Sequence, residues 1–159
     1  MDSYEQPIER PSEHETQKKY YSGKKKTHTR KNQLIVLPNG KDIVDVKAGK
    51  PGPKSDISLF RETSQEFETK QRFNGDKAYE GEESIKTPQK KPKKQELTPE
   101  QKSRNKELAS ERIFVEHLIR LVKIFRVAQE RFRLNTQKYE QIIMTICGLV
   151  RLRIGTVIL

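Results

Sequence analysis

One short segment, Arg112–Lys123, combines charged side chains with an apolar helical pattern. It reads RIFVEHLIRLVK, with the carboxylate of Glu116 inside a mostly apolar run. At about 100° per residue, Arg112, Glu116 and Lys123 fall within roughly 60° of arc on one helix face. Such a face presents polar groups where a core helix would bury carbon. The simpler alternative is an ion pair between Arg112 and Glu116, which stabilises a helix by only about 0.2–0.5 kcal/mol.

Two more carboxylates stand at positions where a site is possible. Asp76 follows a glycine at the end of a short predicted strand within 72–79. Catalytic carboxylates are often found where a strand meets its loop, although an aspartate that only shapes a turn is the commoner case. Asp2 lies near the beginning of the chain, ahead of Pro7 and Pro11, which prevent a helix there.

A basic segment, Lys18–Lys31, reads KKYYSGKKKTHTRK and is interrupted by two tyrosines and a Ser-Gly turn. Lysine and arginine side chains bind phosphates, so this composition favours contact with nucleic acid. The alternative is that Lys24–Lys26 form an ordinary solvated turn. The residues that we expect to contact DNA in this segment are Lys24, Lys25, Lys26, His28, Arg30 and Lys31.

The overall charge supports a polyanionic partner. The chain has 159 residues, enough for one domain, and a net charge of +11. Lysine and arginine gain free energy by displacing counterions from phosphates, so nucleic acid is favoured over a membrane surface. A ribosomal-type basic protein would show the same charge, so this alternative stays open.

The composition also excludes several classes of protein. A single cysteine, Cys147, excludes an internal disulfide framework and a multi-cysteine zinc site, and its apolar helical surroundings predict a buried thiol. The N-terminus has no apolar signal-peptide core. The apolar-rich segment 142–159 contains two arginines and is too short to span a membrane. We therefore expect a soluble, cytoplasmic protein.

Local patterns predict most of the elements that would position these residues. Segments 27–37 and 42–46 alternate or cluster apolar residues around a Pro-Asn-Gly turn, which predicts a β-hairpin. Ser55 or Asp56 should cap a helix that runs to about Lys70. Thr98-Pro99-Glu100-Gln101 predicts a helix start with a capping box, and that helix should continue, with a possible bend, to about Arg126. A further helix is predicted over 136–150.

Four motifs in this order resemble those of DDE-type insertion-sequence transposases, the Harbinger-like DDE superfamily endonucleases. The first is Tyr20–Gln33, similar to the family's "YYSGKKKxHTxKxQ" stretch. The second is Pro51–Asp56, where Ser55 replaces the usual histidine of a His-Asp pair. The third, Gly75–Gly81, resembles "D-K-G-Y-x-G", with Ala78 in place of glycine. The fourth is Arg, three residues, Glu, six residues, Lys, which Arg112, Glu116 and Lys123 match.

The resemblance implies a catalytic triad and its metal ions. Asp2 occupies the position of the family's first aspartate, Asp76 the second and Glu116 the third acidic residue. Carboxylates suit Mg²⁺ or Mn²⁺, and two such ions can stabilise the attacking and leaving oxygens of a phosphodiester. Arg112 and Lys123 would bind DNA phosphates beside the metals. The implied partner is double-stranded DNA, both transposon ends and target.

The resemblance also implies an architecture. We expect an α/β, ribonuclease-H-like catalytic fold of the retroviral-integrase type, with a mixed central sheet flanked by helices and a truncated first strand. The catalytic domain would cover 1–133, with a basic flexible loop at 86–96, and a C-terminal helix in 134–159 would pack on it. The family's upstream helical DNA-binding domain is expected to be absent.

The expected function is therefore that of a C-terminal transposase fragment that cleaves and transfers DNA strands. It would act as a homodimer or with an upstream half-transposase chain. The alternative is a catalytically inactive basic DNA-binding remnant or an accessory subunit of a split transposase.

Overall fold

The computed structural model describes residues 1–62, 64, 67–68, 70–92 and 96–156, which form a mixed α/β protein. The strands are β1 (Asp2–Pro7), β2 (Tyr21–Ser22), β3 (Thr27–Val36), β4 (Ile43–Pro51), β5 (Phe73–Asn74) and β6 (Ile85–Lys86). The helices are α1 (His14–Tyr20), α2 (Asp56–Arg61), α3 (Pro99–Ile124), α4 (Arg126–Gln129) and α5 (Tyr139–Thr156). Short 3₁₀ turns cover Pro38–Gly40, Lys77–Tyr79 and Thr136–Lys138.

Strand β3 is the centre of the main sheet. It pairs antiparallel with both β1 and β4, and because the same residues of β3 face both partners, those two strands lie on opposite edges of it. The short β2 pairs with the first residues of β3. Strands β5 and β6 form a separate parallel pair. The Met1 nitrogen donates a hydrogen bond to the Asn74 carbonyl (2.7 Å), which places this pair next to β1.

The predicted hairpin is confirmed as β3 and β4, and β4 extends further than expected, to Pro51. Its connection has the backbone that the Pro-Asn-Gly sequence favours, because Asn39 and Gly40 both have positive φ angles, 67° and 65°. Asn and Gly tolerate this conformation better than other residues. Local turn chemistry therefore sets the end of the hairpin.

The sheet separates two hydrophobic clusters. Leu34 packs in the larger one with residues of α3 and α5, such as Val115 and Ile143. Its neighbour Ile35 packs in the smaller one with Phe60 and Tyr79. Successive side chains of a strand point to opposite faces, so β3 supplies both cores. The predicted burial of Cys147 is confirmed in the larger cluster.

Both predicted helix caps are confirmed. The Ser55 hydroxyl accepts a hydrogen bond from the Ser58 amide at the start of α2. At the start of α3, Thr98 and Gln101 form the complete capping box, with each side chain accepting from the other's amide. These contacts depend only on residues three positions apart, which is why the sequence predicts them well.

Several element boundaries were wrong. Helix α2 ends at Arg61, well short of the predicted end at Lys70. Thr and Ser follow soon after Arg61, and both are poor helix formers. The predicted strand within 72–79 is reduced to β5, because Asp76 caps a 3₁₀ turn instead. Helix α1 was not predicted. Helix α5 begins at Tyr139 and reaches Thr156.

The basic loop expected at 86–96 is only partly described. Lys86 belongs to β6, and 87–92 have no regular secondary structure and are half-buried or exposed, while 93–95 lie outside the described residues. Helix α5 shares the larger hydrophobic cluster with β1, β3 and α3.

Candidate active site

Asp2 is the first residue of β1 and lies opposite Leu34 of β3. Its Oδ1 accepts a hydrogen bond from the Ser3 amide at 2.8 Å. Burial raises the pKa of the Asp2 carboxyl, and the Asp76 carboxylate raises this pKa further. The hydrogen bond from Ser3 and the positive charge of Arg112 lower it. Asp2 and Asp76 are therefore close enough to repel each other.

Asp76 reaches this place through a tight turn after β5. A side chain at Gly75 would place its Cβ 2.8 Å from Tyr79 Cδ2 and 2.9 Å from Ile85 Cγ2, so the close packing requires glycine. Asp76 Oδ1 accepts a hydrogen bond from the Ala78 amide at 2.8 Å and caps the 3₁₀ turn. The turn role and a role in the site are thus compatible, since a carboxylate has two oxygens.

Glu116 approaches the same region from α3. Its carboxylate pairs with Arg112 at 3.5 Å, as the simpler interpretation of the sequence predicted, and its side chain is 44% exposed. The same guanidinium nitrogen lies 4.0 Å from Asp2 Oδ2. The Asp2 and Glu116 oxygens are therefore at most about 7.5 Å apart, the sum of 4.0 Å and 3.5 Å. Arg112 links the first and third predicted carboxylates.

A groove of about 610 Å³ opens beside these residues. The acidic residues that line it are Asp2, Glu5, Asp56 and Asp76, and the lysines are Lys24, Lys25, Lys31, Lys54 and Lys123. Glu116 is not among the described residues that line it. The groove thus combines carboxylates with lysines. The lysines suit a phosphate group, and the carboxylates suit a cation bound together with that phosphate.

Lys123 is held over the Tyr4 ring, with its ammonium nitrogen 4.8 Å from the ring centroid. Burial lowers the pKa of Lys123, the positive charge of Lys25 lowers it further, and the Asp2 carboxylate raises it. Both lysines line the groove. An anion bound near both lysines would offset their mutual repulsion.

The predicted DNA-contacting segment divides into two parts. Lys24, Lys25 and Lys26 are exposed on the turn between β2 and β3. By contrast, the Arg30 guanidinium lies between the rings of Tyr20 and Tyr139, at 5.3 Å and 4.9 Å from their centroids.

The remaining two members of the segment are engaged within the protein to different degrees. His28 is half-buried and contacts Tyr21 edge to face at 5.5 Å. Lys31 is buried, and its ammonium pairs with Asp56 at 2.9 Å. The lysines on the turn before β3 therefore face solvent, whereas Arg30 and Lys31 on β3 already have protein partners.

Comparison with known proteins identifies the family of this chain. The sequence profile of the DDE superfamily endonucleases matches residues 1–151. The chain belongs to this family. It is also 38% identical over 143 residues to a protein of Microchaete diplosiphon described as "Probable transposase for insertion sequence element IS702". The matched region covers 87% of this chain and 51% of that relative, so the chain spans about half the relative's length.

The resemblance to DDE-type insertion-sequence transposases is thus confirmed. No solved structure matches the chain. Among the described helices, none has the length and apolar character needed to cross a membrane.

Two acidic residues of the groove, Glu5 and Asp56, were not predicted as part of the site. Asp56, the first residue of α2, accepts a hydrogen bond from Ser3 Oγ at 2.6 Å and pairs with Lys31. The sequence offered a signal, because Asp56 stands in the motif that the family usually fills with His-Asp. The motif did not indicate a role for Asp56, because its hydrogen-bond and ion-pair partners lie on β1 and β3.

The chemistry of these carboxylates suits a divalent metal ion. Asp2 and Asp76 repel each other in a partly buried place, and a bound cation would offset this repulsion. Within the described part of the chain, however, no three His, Cys, Asp or Glu side chains are close enough together to hold an ion. The Arg112 guanidinium lies where it neutralises Asp2 and Glu116.

Proposed function

We propose that this chain carries the catalytic part of a transposase that cleaves and joins DNA strands. One observation carries the proposal: Asp2 and Asp76 line one groove together with several lysines, and Arg112 joins Asp2 to Glu116. Membership of the DDE superfamily endonucleases supports the same conclusion. The substrate is double-stranded DNA, at transposon ends and target.

We also propose that the fold is ribonuclease-H-like. Three features support it: an antiparallel β1-β3-β4 arrangement, a parallel β5-β6 pair beside β1, and the helix α3 on the larger core. The strand β1 then carries Asp2, the turn after β5 carries Asp76, and α3 carries Glu116. In this proposal, three separate elements each supply one carboxylate of the site.

The proposed metal ligands are Asp2, Asp76 and Glu116, for Mg²⁺ or Mn²⁺. When bound, two such ions would make water or a DNA 3′-hydroxyl a better nucleophile and stabilise the leaving oxygen. Arg112 neutralises the carboxylates that face it and then contacts a DNA phosphate. Lys24, Lys25, Lys26 and Lys123 bind the DNA backbone, and His28 contributes at the edge of this surface.

The proposed working form is either a homodimer or a complex with an upstream half-transposase chain. The chain matches only about half of its curated relative, so other parts of a transposase must supply recognition of the transposon ends in this scheme. Lysines that contact only phosphates cannot distinguish sequences.

Nicking of supercoiled plasmid DNA tests the function. We expect Mg²⁺-dependent nicking by the wild type and a loss of about 100- to 1000-fold in Glu116→Gln, the range found when one group that stabilises the transition state is removed. Glu130→Gln is a matched control, because Glu130 is an exposed glutamate paired with a nearby arginine, Arg126, on another part of the surface. Equal nicking by the wild type and Glu116→Gln would contradict the proposal.

Measuring DNA binding and nicking on the same protein sample distinguishes the transposase from the alternative of a DNA-binding remnant. Exposed Lys24–Lys26 predict salt-dependent DNA affinity in either case. Salt-dependent binding without any Mg²⁺- or Mn²⁺-dependent nicking, in the chain alone and with a supplied upstream half, would favour the remnant.

A further inference from the structure

Ser3 lies between Asp2, the first proposed metal ligand, and Asp56, one of the two acidic residues of the groove that were not predicted. Its backbone amide donates to Asp2 Oδ1 at 2.8 Å, and its hydroxyl donates to Asp56 Oδ1 at 2.6 Å. A continuous path of two hydrogen bonds therefore joins Asp56 on α2 to Asp2 on β1. The path passes through a single residue, Ser3.

Asp56 is itself firmly placed. Its Oδ1 pairs with the Lys31 ammonium at 2.9 Å, and the Lys31 side chain is only 8% exposed. The same ammonium also donates to the Lys54 carbonyl, in the loop before α2. The Asp56 carbonyl accepts a hydrogen bond from the buried Gln33 side chain at 3.2 Å. Asp56 is thus tied to two residues of the central strand β3.

The geometry of β1 gives this anchorage a consequence at Asp2. Side chains of neighbouring strand residues point to opposite faces, so Asp2 and Ser3 project in opposite directions. Fixing the Ser3 side chain on one face therefore fixes the rotation of the strand at its end, and with it the direction of the Asp2 carboxylate on the other face. In the structure, Asp2 Oδ2 lies 4.0 Å from the Arg112 guanidinium, and Asp2 lines the same groove as Asp76.

We infer that Asp56 is a positioning residue: by holding the Ser3 hydroxyl, it fixes the Asp2 carboxylate toward Asp76. This inference rests on the proposed function of Asp2 as a metal ligand. Asp56 touches neither the metal ions nor the DNA in this scheme. Its effect on metal affinity passes through Ser3.

The test compares three variants with one control. Ser3→Ala removes the hydroxyl and leaves the buried Lys31–Asp56 pair intact. Ser3→Thr keeps a donor and suits a strand. Asp56→Ala removes the acceptor, and Glu62→Gln is the control, because Glu62 is an exposed carboxylate at the other end of α2, paired with Lys54.

Amide hydrogen exchange in metal-free protein gives the first measurement. We expect protection of the Ser3 amide to fall about tenfold in Ser3→Ala and Asp56→Ala, the size that corresponds to one hydrogen bond. In Ser3→Thr and Glu62→Gln it should stay within about twofold of the wild type. Unchanged protection in Asp56→Ala, or a fall equal to the loss of global stability in urea, would overturn the inference.

The second measurement is the Mn²⁺ concentration that gives half of the thermal stabilisation. We expect it to rise about tenfold in Ser3→Ala and Asp56→Ala and to be restored in Ser3→Thr, as found for residues that orient metal ligands. A half-saturating concentration in Ser3→Ala equal to that of the wild type would overturn the inference. If the wild type shows no response to Mn²⁺, the proposed metal site fails, while amide exchange still decides whether Asp56 holds the end of β1.

Discussion

Two parts of the basic segment, its turn and its stretch on β3, have the same kind of residue and opposite environments. Lys24–Lys26 form an exposed turn, in which Lys26 has a positive φ of 52°. A few residues later, on β3, Lys31 is buried against Asp56 and Arg30 lies between two tyrosine rings. The net charge counts all of these cations equally. Only those on the turn remain available to a polyanion, so a basic composition overstates the size of the DNA-binding surface.

The strongest test of this contrast is Lys31→Met. Removing one partner of a buried ion pair leaves the other charge uncompensated and typically costs about 3–5 kcal/mol. We expect a loss near the lower end, about 3 kcal/mol, because the Asp56 side chain keeps 20% exposure to solvent. Urea unfolding followed by circular dichroism measures it.

Lys26→Met is the matched control for this prediction. It makes the same substitution on the exposed turn, so it should change the free energy of unfolding by no more than about 0.5 kcal/mol. A similar loss in both variants would contradict the division of the segment into two parts.

The complementary test replaces the turn lysines. In the triple variant Lys24→Ala, Lys25→Ala and Lys26→Ala, stability should stay within about 1 kcal/mol of the wild type, since exposed substitutions have small effects. DNA affinity should fall, and the slope of log affinity against log salt should become shallower by about 2 to 3, close to one for each phosphate that the protein no longer neutralises. Fluorescence anisotropy over a series of salt concentrations measures this slope.

A triple substitution at exposed lysines outside the groove gives the comparison. Lys18, Lys90 and Lys102 are exposed and none of them lines it. Their replacement by alanine should leave the salt slope nearly unchanged. Equal changes in both triple variants would mean that DNA binds through net charge alone.

The smallest effect concerns Asp2 and depends on pH. Burial raises the pKa of Asp2 in the folded protein, so folding favours the protonated carboxyl. The contribution of Asp2 to stability is therefore fully present below the unfolded pKa, about 3.9, and is lost as the pH rises through the higher folded pKa. Asp2→Asn should then be more stable than the wild type at pH 7 and equally stable at pH 3. Thermal unfolding at both pH values measures it, and a less stable variant at pH 7 would contradict it.

This pH effect also sharpens the role proposed for Asp2. A carboxylate that destabilises the fold at neutral pH contributes little to structure, as expected of a group placed for binding or catalysis. Asp76 differs, because its Oδ1 also caps the turn at Ala78. Asp76→Asn is therefore expected to keep the cap and lose the charge.

The sequence predicted the features that depend on near neighbours. The capping box and the Asn-Gly turn need only residues a few positions apart, and the structure confirms both. The motif order predicted the family, which the profile match confirms. The assignment of Asp2, Asp76 and Glu116 as metal ligands came from the same motifs and stays a prediction. The early end of α2 at Arg61 was not predicted, although Thr and Ser, which are poor helix formers, follow it.

What the sequence by itself determined is the set of chemical groups: carboxylates in family motifs, a basic turn, and a capped helix with Arg112, Glu116 and Lys123 on one face. The tertiary structure decided which of these groups meet. It paired Lys31 with Asp56, placed Arg112 between Asp2 and Glu116, and linked Asp56 to Asp2 through Ser3. Those contacts join residues distant in the chain, and the energy of a charge depends on the burial and partners that such contacts create.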